Sequence, residues 1–117
     1  MLLSFLSIIA MSAAVPQSYA DHDAAELLRR CDTRATKTLE GKYLTGWCTG
    51  FIEGVAEMVL EAEKGSWHIC VPANATVGDM MDSAVAYLRA HPDEGKYSAS
   101  TTIITAWQNK YSCEPNI

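Results

Sequence analysis

The sequence predicts an all-α protein, a compact bundle of four helices stapled by two disulfides. Three observations carry that expectation. Four segments repeat apolar residues at helical spacings of three and four, and none shows the period-two alternation of a half-exposed strand. Short turn-forming stretches separate these segments. Four cysteines, Cys31, Cys48, Cys70 and Cys113, lie in a short chain whose N-terminus has the grammar of an export signal.

The first charged residue is Asp21, and an apolar run from Leu2 to Met11 precedes it. That run is shorter than the roughly 20 residues a membrane span needs, and Ser18-Tyr19-Ala20 puts small residues where a signal peptidase reads. A buried helix would show polar residues at helical spacing, whereas only Ser4, Ser7 and Ser12 interrupt the apolar stretch. Residues 1–20 are therefore expected to be a signal peptide cleaved after Ala20, leaving 21–117 as one exported domain with no membrane association. The segment carries no Lys or Arg, which leaves open a start upstream of Met1.

A mature domain of this size buries only about 60 to 65 per cent of its unfolded surface and needs reinforcement. An even number of cysteines in a small exported chain points to disulfides. Zinc would favour close ligand pairs such as C-x2-C, and the cysteines here are far apart. Four cysteines allow three pairings.

The first helix is expected from about Asp23 to Asp32, with Ala24, Leu27, Leu28 and Cys31 on its apolar face and Asp23 and Glu26 favouring the N-terminal dipole. Thr33 to Lys42 lacks a strong period and reads as a connector or a frayed helical extension. The second helix, about Tyr43 to Lys64, offers Trp47, Phe51, Val55, Met58, Val59 and Ala62 as its core face. Gly46, Gly50 and Gly54 form a strict four-residue stripe along it, each costing about 1 kcal/mol of helix propensity relative to alanine. Such a stripe lets another backbone approach. Tight packing against a helix of the same domain is the expected use, and a homodimer seam or partner groove is the other.

The third helix begins after Thr76, whose N-cap is followed three residues later by Asp79, and buries Val77, Met80, Met81, Ala84, Val85 and Leu88. It stops at His91-Pro92, because proline forces the residue before it out of the helical region. Asp93-Glu94-Gly95-Lys96 is then a charged turn. The fourth helix runs from about Ser98 to Lys110, with Ala99, Ile103, Ala106, Trp107 and the Lys110 stem facing the core. On this arrangement Cys31 meets Cys48 across the corner between the first two helices, and Cys70 meets Cys113 where the last two antiparallel helices bring their ends together. The chain-entropy model gives these loops about 3 and 4 kcal/mol, comparable to the whole stability of a small domain.

Signs of catalysis are sparse. The sequence has no nucleophile elbow, no zinc-protease helix and no phosphate loop, and no motif calls for a cofactor or a metal. His22 is expected to be mobile near the mature N-terminus, His68 to lie in a loop, and His91 to complement a helix C-terminus. Glu53, Glu57 and Glu61, with Glu63, give the second helix an acidic face that reads as solvated. A net charge of −5 argues against nucleic acid and anionic membranes, and is compatible with a basic protein partner.

Four motifs, in order along nearly the whole mature chain, resemble the Rap/Tai family of type VI secretion immunity proteins. Cys48-Thr49-Gly50-Phe51-Ile52-Glu53-Gly54 is similar to its C-x-G-aromatic-I-x-G centre, and Cys70-Val71-Pro72 to its C-hydrophobic-P step. Tyr87-Leu88-Arg89-Ala90-His91-Pro92 resembles its Y-L-x-x-H-P helix end, and Tyr111-Ser112-Cys113 its aromatic-x-C ending. The stretch Trp107 to Cys113 departs from the Phe-Pro-Cys ending common in the family.

The resemblance implies a helical periplasmic protein, often a homodimer, that occludes a toxic effector, in one branch a peptidoglycan amidase and so a cell-wall hydrolase. It implies no catalysis. The turn from His91 to Tyr97 is the first candidate for partner contact, through His91, Asp93, Glu94, Lys96 and Tyr97, because it is short, charged and displayed between two packed helices. Two alternatives stand beside this one. One is a small acid-stress chaperone that exposes apolar surface as its carboxylates are protonated. The other is a protein that keeps the family fold with a different partner.

Overall fold

A computed structural model describes residues 22–32, 37–62 and 64–113. The expected signal segment lies outside the described residues, as do Glu63 and residues 33–36 of the expected connector. Among the described residues four α-helices follow in order, α1 (Ala24–Cys31), α2 (Leu39–Ala56), α3 (Val77–Ala90) and α4 (Ala99–Lys110). A six-residue π-helical turn, Glu57–Ala62, extends α2, and a single 3-10 turn, Pro92–Glu94, joins α3 to α4.

Each helix starts where a side-chain oxygen can take an orphan backbone N–H. Asp23 accepts from Glu26 N at 2.8 Å. Thr38 Oγ1 accepts from Gly41 N at 3.0 Å, and Ser98 caps α4 through the N–H of Thr101. Helix α3 has the full reciprocal capping box, with Thr76 Oγ1 accepting from Asp79 N at 3.1 Å and the Asp79 carboxylate accepting from Thr76 N at 2.9 Å. The Thr38 cap also corrects the expected connector: α2 begins at Leu39, four residues before Tyr43, because Thr38 can cap there.

Helices α1 and α2 pack together, α3 packs on α4, and α1 also reaches across to α3 and α4. Trp107, Leu27, Ile52, Ile103, Val59 and Cys48 are the largest fully buried side chains. The Trp107 indole donates to Met80 O at 3.1 Å, so its one polar atom is satisfied inside the core and ties α4 to α3. The face expected for α3 is buried except at Val77, which is 37% exposed.

The core face of α2 is rotated from the one expected. Cys48, Ile52, Val55 and Val59 are buried, while Trp47 and Phe51 are half-buried and Met58 and Ala62 exposed. The cause is non-local: the Cys48 bond to Cys31 turns that residue inward and swings its bulky neighbour Trp47 to the rim. On α4 the Lys110 stem is exposed, and Thr102 and Ile104 are buried in addition to the expected residues. Thr102 tolerates burial because its hydroxyl donates to Ser98 O at 3.0 Å.

Both disulfides join the expected partners, with Cα atoms 5.2 Å apart for Cys31–Cys48 and 5.0 Å for Cys70–Cys113. Main-chain pairing reinforces each half. Cys70 N donates to Tyr111 O at 2.7 Å beside an isolated antiparallel bridge between Ile69 and Ser112. A second bridge joins Asp23 to Ser98, and Ala99 N donates to His22 O at 2.9 Å.

Candidate functional site

The turn between α3 and α4 is held from below and displays only part of its side chains. Helix α1 begins directly on it, with Ala24 N donating to Tyr97 O and Ala25 N donating to Gly95 O, each at 2.9 Å. The approach is close enough that a Cβ on Gly95 would meet Ala25 Cβ and Pro92 O at 3.2 Å. Glycine at 95 is therefore what lets α1 dock onto the turn.

The five residues expected to meet a partner divide into two groups. His91 and Glu94 face inward. The His91 ring stacks on Tyr87 with centroids 4.0 Å apart, and its Nδ1 lies 2.8 Å from Tyr87 O. The neighbouring Glu94 carboxylate, with burial second, pushes the Tyr87 hydroxyl up to about 12. One carboxylate oxygen of Glu94, Oε2, is buried with no hydrogen-bond partner among the described residues. Asp93, Lys96 and Tyr97 point outward. Tyr97 is 51% exposed, and Lys96 Nζ lies 6.0 Å from its ring centroid. The turn thus combines a fixed base with an anion, a cation and an aromatic ring offered to solvent.

Two hollows adjoin the helices. An open groove of about 720 Å³ between α3 and α4 is lined by Asp79, Asp82, Tyr87, Asn109 and Lys110 among others. A smaller one of about 340 Å³ lies on the acidic face, between Glu53, Glu57 and Glu61 with Ala56 and Leu60.

The glycine stripe faces outward among the described residues. Gly46, Gly50 and Gly54 are exposed, and a Cβ on any of them would have nothing within 4 Å among the described residues. Among the described residues, nothing packs against the stripe. The cause is the rotation of α2, which carries its glycines outward as Cys48 and Ile52 turn in. Leu39 and Tyr43 lie on the same outer face, 86% and 67% exposed.

Sequence reasoning missed a cluster around His22, which is anchored and not mobile. Its Nδ1 lies 2.9 Å from Glu26 Oε2, and its ring meets Trp47 edge-on with centroids 5.2 Å apart. Trp47 stacks on Phe51 at 5.1 Å, and the Arg30 guanidinium sits 4.4 Å above the Trp47 ring while pairing with Glu26. The hydrogen bond from His22, opposed by burial and supported by Arg30, holds the Glu26 carboxyl below its ordinary value. The spacing of His22, Glu26 and Arg30 at i, i+4 and i+8 was the available signal; their aromatic partners on α2 had none.

All four cysteines are in disulfides, which leaves no thiol for nucleophilic chemistry. Among the described residues no group of three or more His, Cys, Asp or Glu side chains could hold a metal ion, and no helix is long and apolar enough to cross a membrane.

A family model described as Rap1a immunity proteins matches residues 23–113, from the N-cap of α1 to the last cysteine. No curated protein and no solved structure matches the chain. The matched span takes in all four helices, both disulfides and the turn from His91 to Tyr97. The chain therefore belongs to the family of Rap1a immunity proteins, an immunity family of the Rap/Tai type whose members bind a protein effector and are not enzymes.

Proposed function

We propose that the protein is exported to the periplasm, loses residues 1–20 there, and neutralises a type VI secretion effector by occluding it. The effector is a cell-wall hydrolase of the peptidoglycan amidase class, and occlusion requires no catalysis by the immunity protein. The observation that carries this reading is the family match over residues 23–113. Two features support the compartment and mode of action. Two disulfides suit an oxidising compartment and would not persist in a reducing cytosol. A net charge of −5 favours encounter with a basic protein surface.

The contact surface in this proposal is the turn on which α1 rests. Asp93, Lys96 and Tyr97 meet the effector, while Glu94, His91 and Tyr87 keep the turn in shape. A rigid loop loses little entropy on binding, which raises affinity without added area. The protein acts as a homodimer, so each particle offers two such turns.

Deletion of the gene in a type VI-competent strain is the test. Self-intoxication with cell-wall damage, relieved by the oxidised protein in the periplasm, is expected, and capture of a hydrolase from the same strain should accompany it. An unharmed deletion strain and capture of no hydrolase would remove the proposal.

A further inference from the structure

The two disulfides stand in opposite surroundings. Cys31 and Cys48 are 3% and 0% exposed and belong to the core cluster with Leu27 and Ile52. Cys70 is exposed and Cys113 half-buried. A thiolate must reach a sulfur before it can exchange with a disulfide, so access decides which bridge can react while the protein stays folded. The accessible bridge ties α4 to the loop formed by residues 64–76. Within that loop His68 has φ 54°, a left-handed conformation that is costly for a residue carrying a Cβ. It is held between two hydrogen bonds to the α4 end, from the Gln108 side-chain amide to Trp67 O and from Cys70 N to Tyr111 O. The same two segments supply facing walls of the open groove, Pro72, Asn74 and Ala75 on one side and Asn109, Lys110 and Tyr111 on the other. At the opposite end of the bundle, Ala24 N, Ala25 N and Ala99 N donate to Tyr97 O, Gly95 O and His22 O, contacts that need neither segment.

We propose that Cys70–Cys113 is a site of thiol–disulfide exchange with a dithiol, and that its opening releases the loop and widens the groove while Cys31–Cys48 and the core stay closed. One thiolate of the dithiol attacks Cys70 Sγ, the S–S bond breaks, and Cys113 leaves as a thiolate that takes up a proton. The second thiol of the dithiol loses its proton and attacks the mixed disulfide. It closes a disulfide within the reagent and frees Cys70 as a thiolate, which is protonated in turn. Two electrons and two protons have then passed to the bridge, and the dithiol has been oxidised. Release of the loop lets His68 leave its left-handed conformation, which favours the open form of this bridge. The inference stands on the burial of the four cysteines and is independent of what the protein neutralises.

Dithiothreitol added to the oxidised mature chain without denaturant tests it, with free thiols blocked at intervals by N-ethylmaleimide and located by peptide mass spectrometry. Cys70 and Cys113 are expected to be labelled together, at least about tenfold faster than Cys31 and Cys48, because the buried pair waits for the core to open. Urea below the unfolding transition should speed labelling of the buried pair and leave that of Cys70 and Cys113 unchanged. The species with two free thiols should keep its helical circular dichroism and be cut faster by trypsin after Lys64, at the start of the released loop. Labelling of all four cysteines at one rate, labelling of the buried pair first, or equal urea dependence of the two pairs would each overturn the proposal. So would a two-thiol species that loses its helices, or one that trypsin cuts after Lys64 no faster than the oxidised chain.

Discussion

Helix α3 has a reciprocal capping box at its start and a proline after its end, and it turns Met80, Met81, Ala84, Val85 and Leu88 into the core. Helix α2 is longer, widens into a π turn, and leaves Leu39, Tyr43 and three glycines facing outward. Local chemistry and the core account for nearly all of α3. They leave a whole face of α2 uncovered among the described residues, although its glycines cost helix stability. π turns interrupt α-helices chiefly at functional sites, and the one after α2 ends the same unexplained helix.

The sharpest way to break the comparison is to attack the side that the core explains. Trp107→Ala should cost about 4 kcal/mol in urea unfolding, by losing a fully buried indole together with its hydrogen bond to Met80 O. A cost near zero would mean that α3 is not held by the core at all. Replacing Cys31 and Cys48 together by alanine should cost about 3 kcal/mol, and Cys70 with Cys113 about 4, so the α3–α4 half is expected to depend more on its staple.

The outer face of α2 should respond in the opposite direction. Gly50→Ala is expected to stabilise the monomer by about 1 kcal/mol, because its Cβ enters open space and alanine favours the helix. A destabilised monomer would show that something in the chain packs there. The smallest effect concerns the rim where α1 meets α2. Glu26 has a folded pKa below its ordinary value of 4.5, so its contribution is present above that pH and is lost as pH falls through the folded value. Glu26→Gln should therefore flatten the loss of stability on acidification below pH 4.5, measured by thermal melts across that range. An unchanged acid limb would mean that the His22 and Arg30 contacts do not persist in solution.

Legibility in the sequence followed the same division. Thr76 with Asp79, and His91 before Pro92, were enough to bound α3, because caps and proline act within a few residues of themselves. The phase of α2 was not readable. Trp47 and Phe51 outweigh Cys48 in hydrophobicity, but a disulfide to another helix fixes which side turns in, and that is a long-range fact. Gly95 passed as one residue of a charged turn, since its role depends on Ala25 lying against it. His22 likewise needed Trp47 and Phe51 from α2 before it had any reason to stay in place. Of the five residues expected at the turn, composition could not separate Asp93, Lys96 and Tyr97, which face solvent, from His91 and Glu94, which hold its base.

The central claim is that this chain disarms a hydrolase by covering it. The direct measurement is the activity of the matching hydrolase on purified cell wall as the oxidised mature protein is titrated in. Occlusion predicts a linear fall to zero at one binding turn per enzyme, with the endpoint displaced by Tyr97→Ala combined with Lys96→Glu. Hydrolysis that continues unchanged past equimolar protein would contradict it.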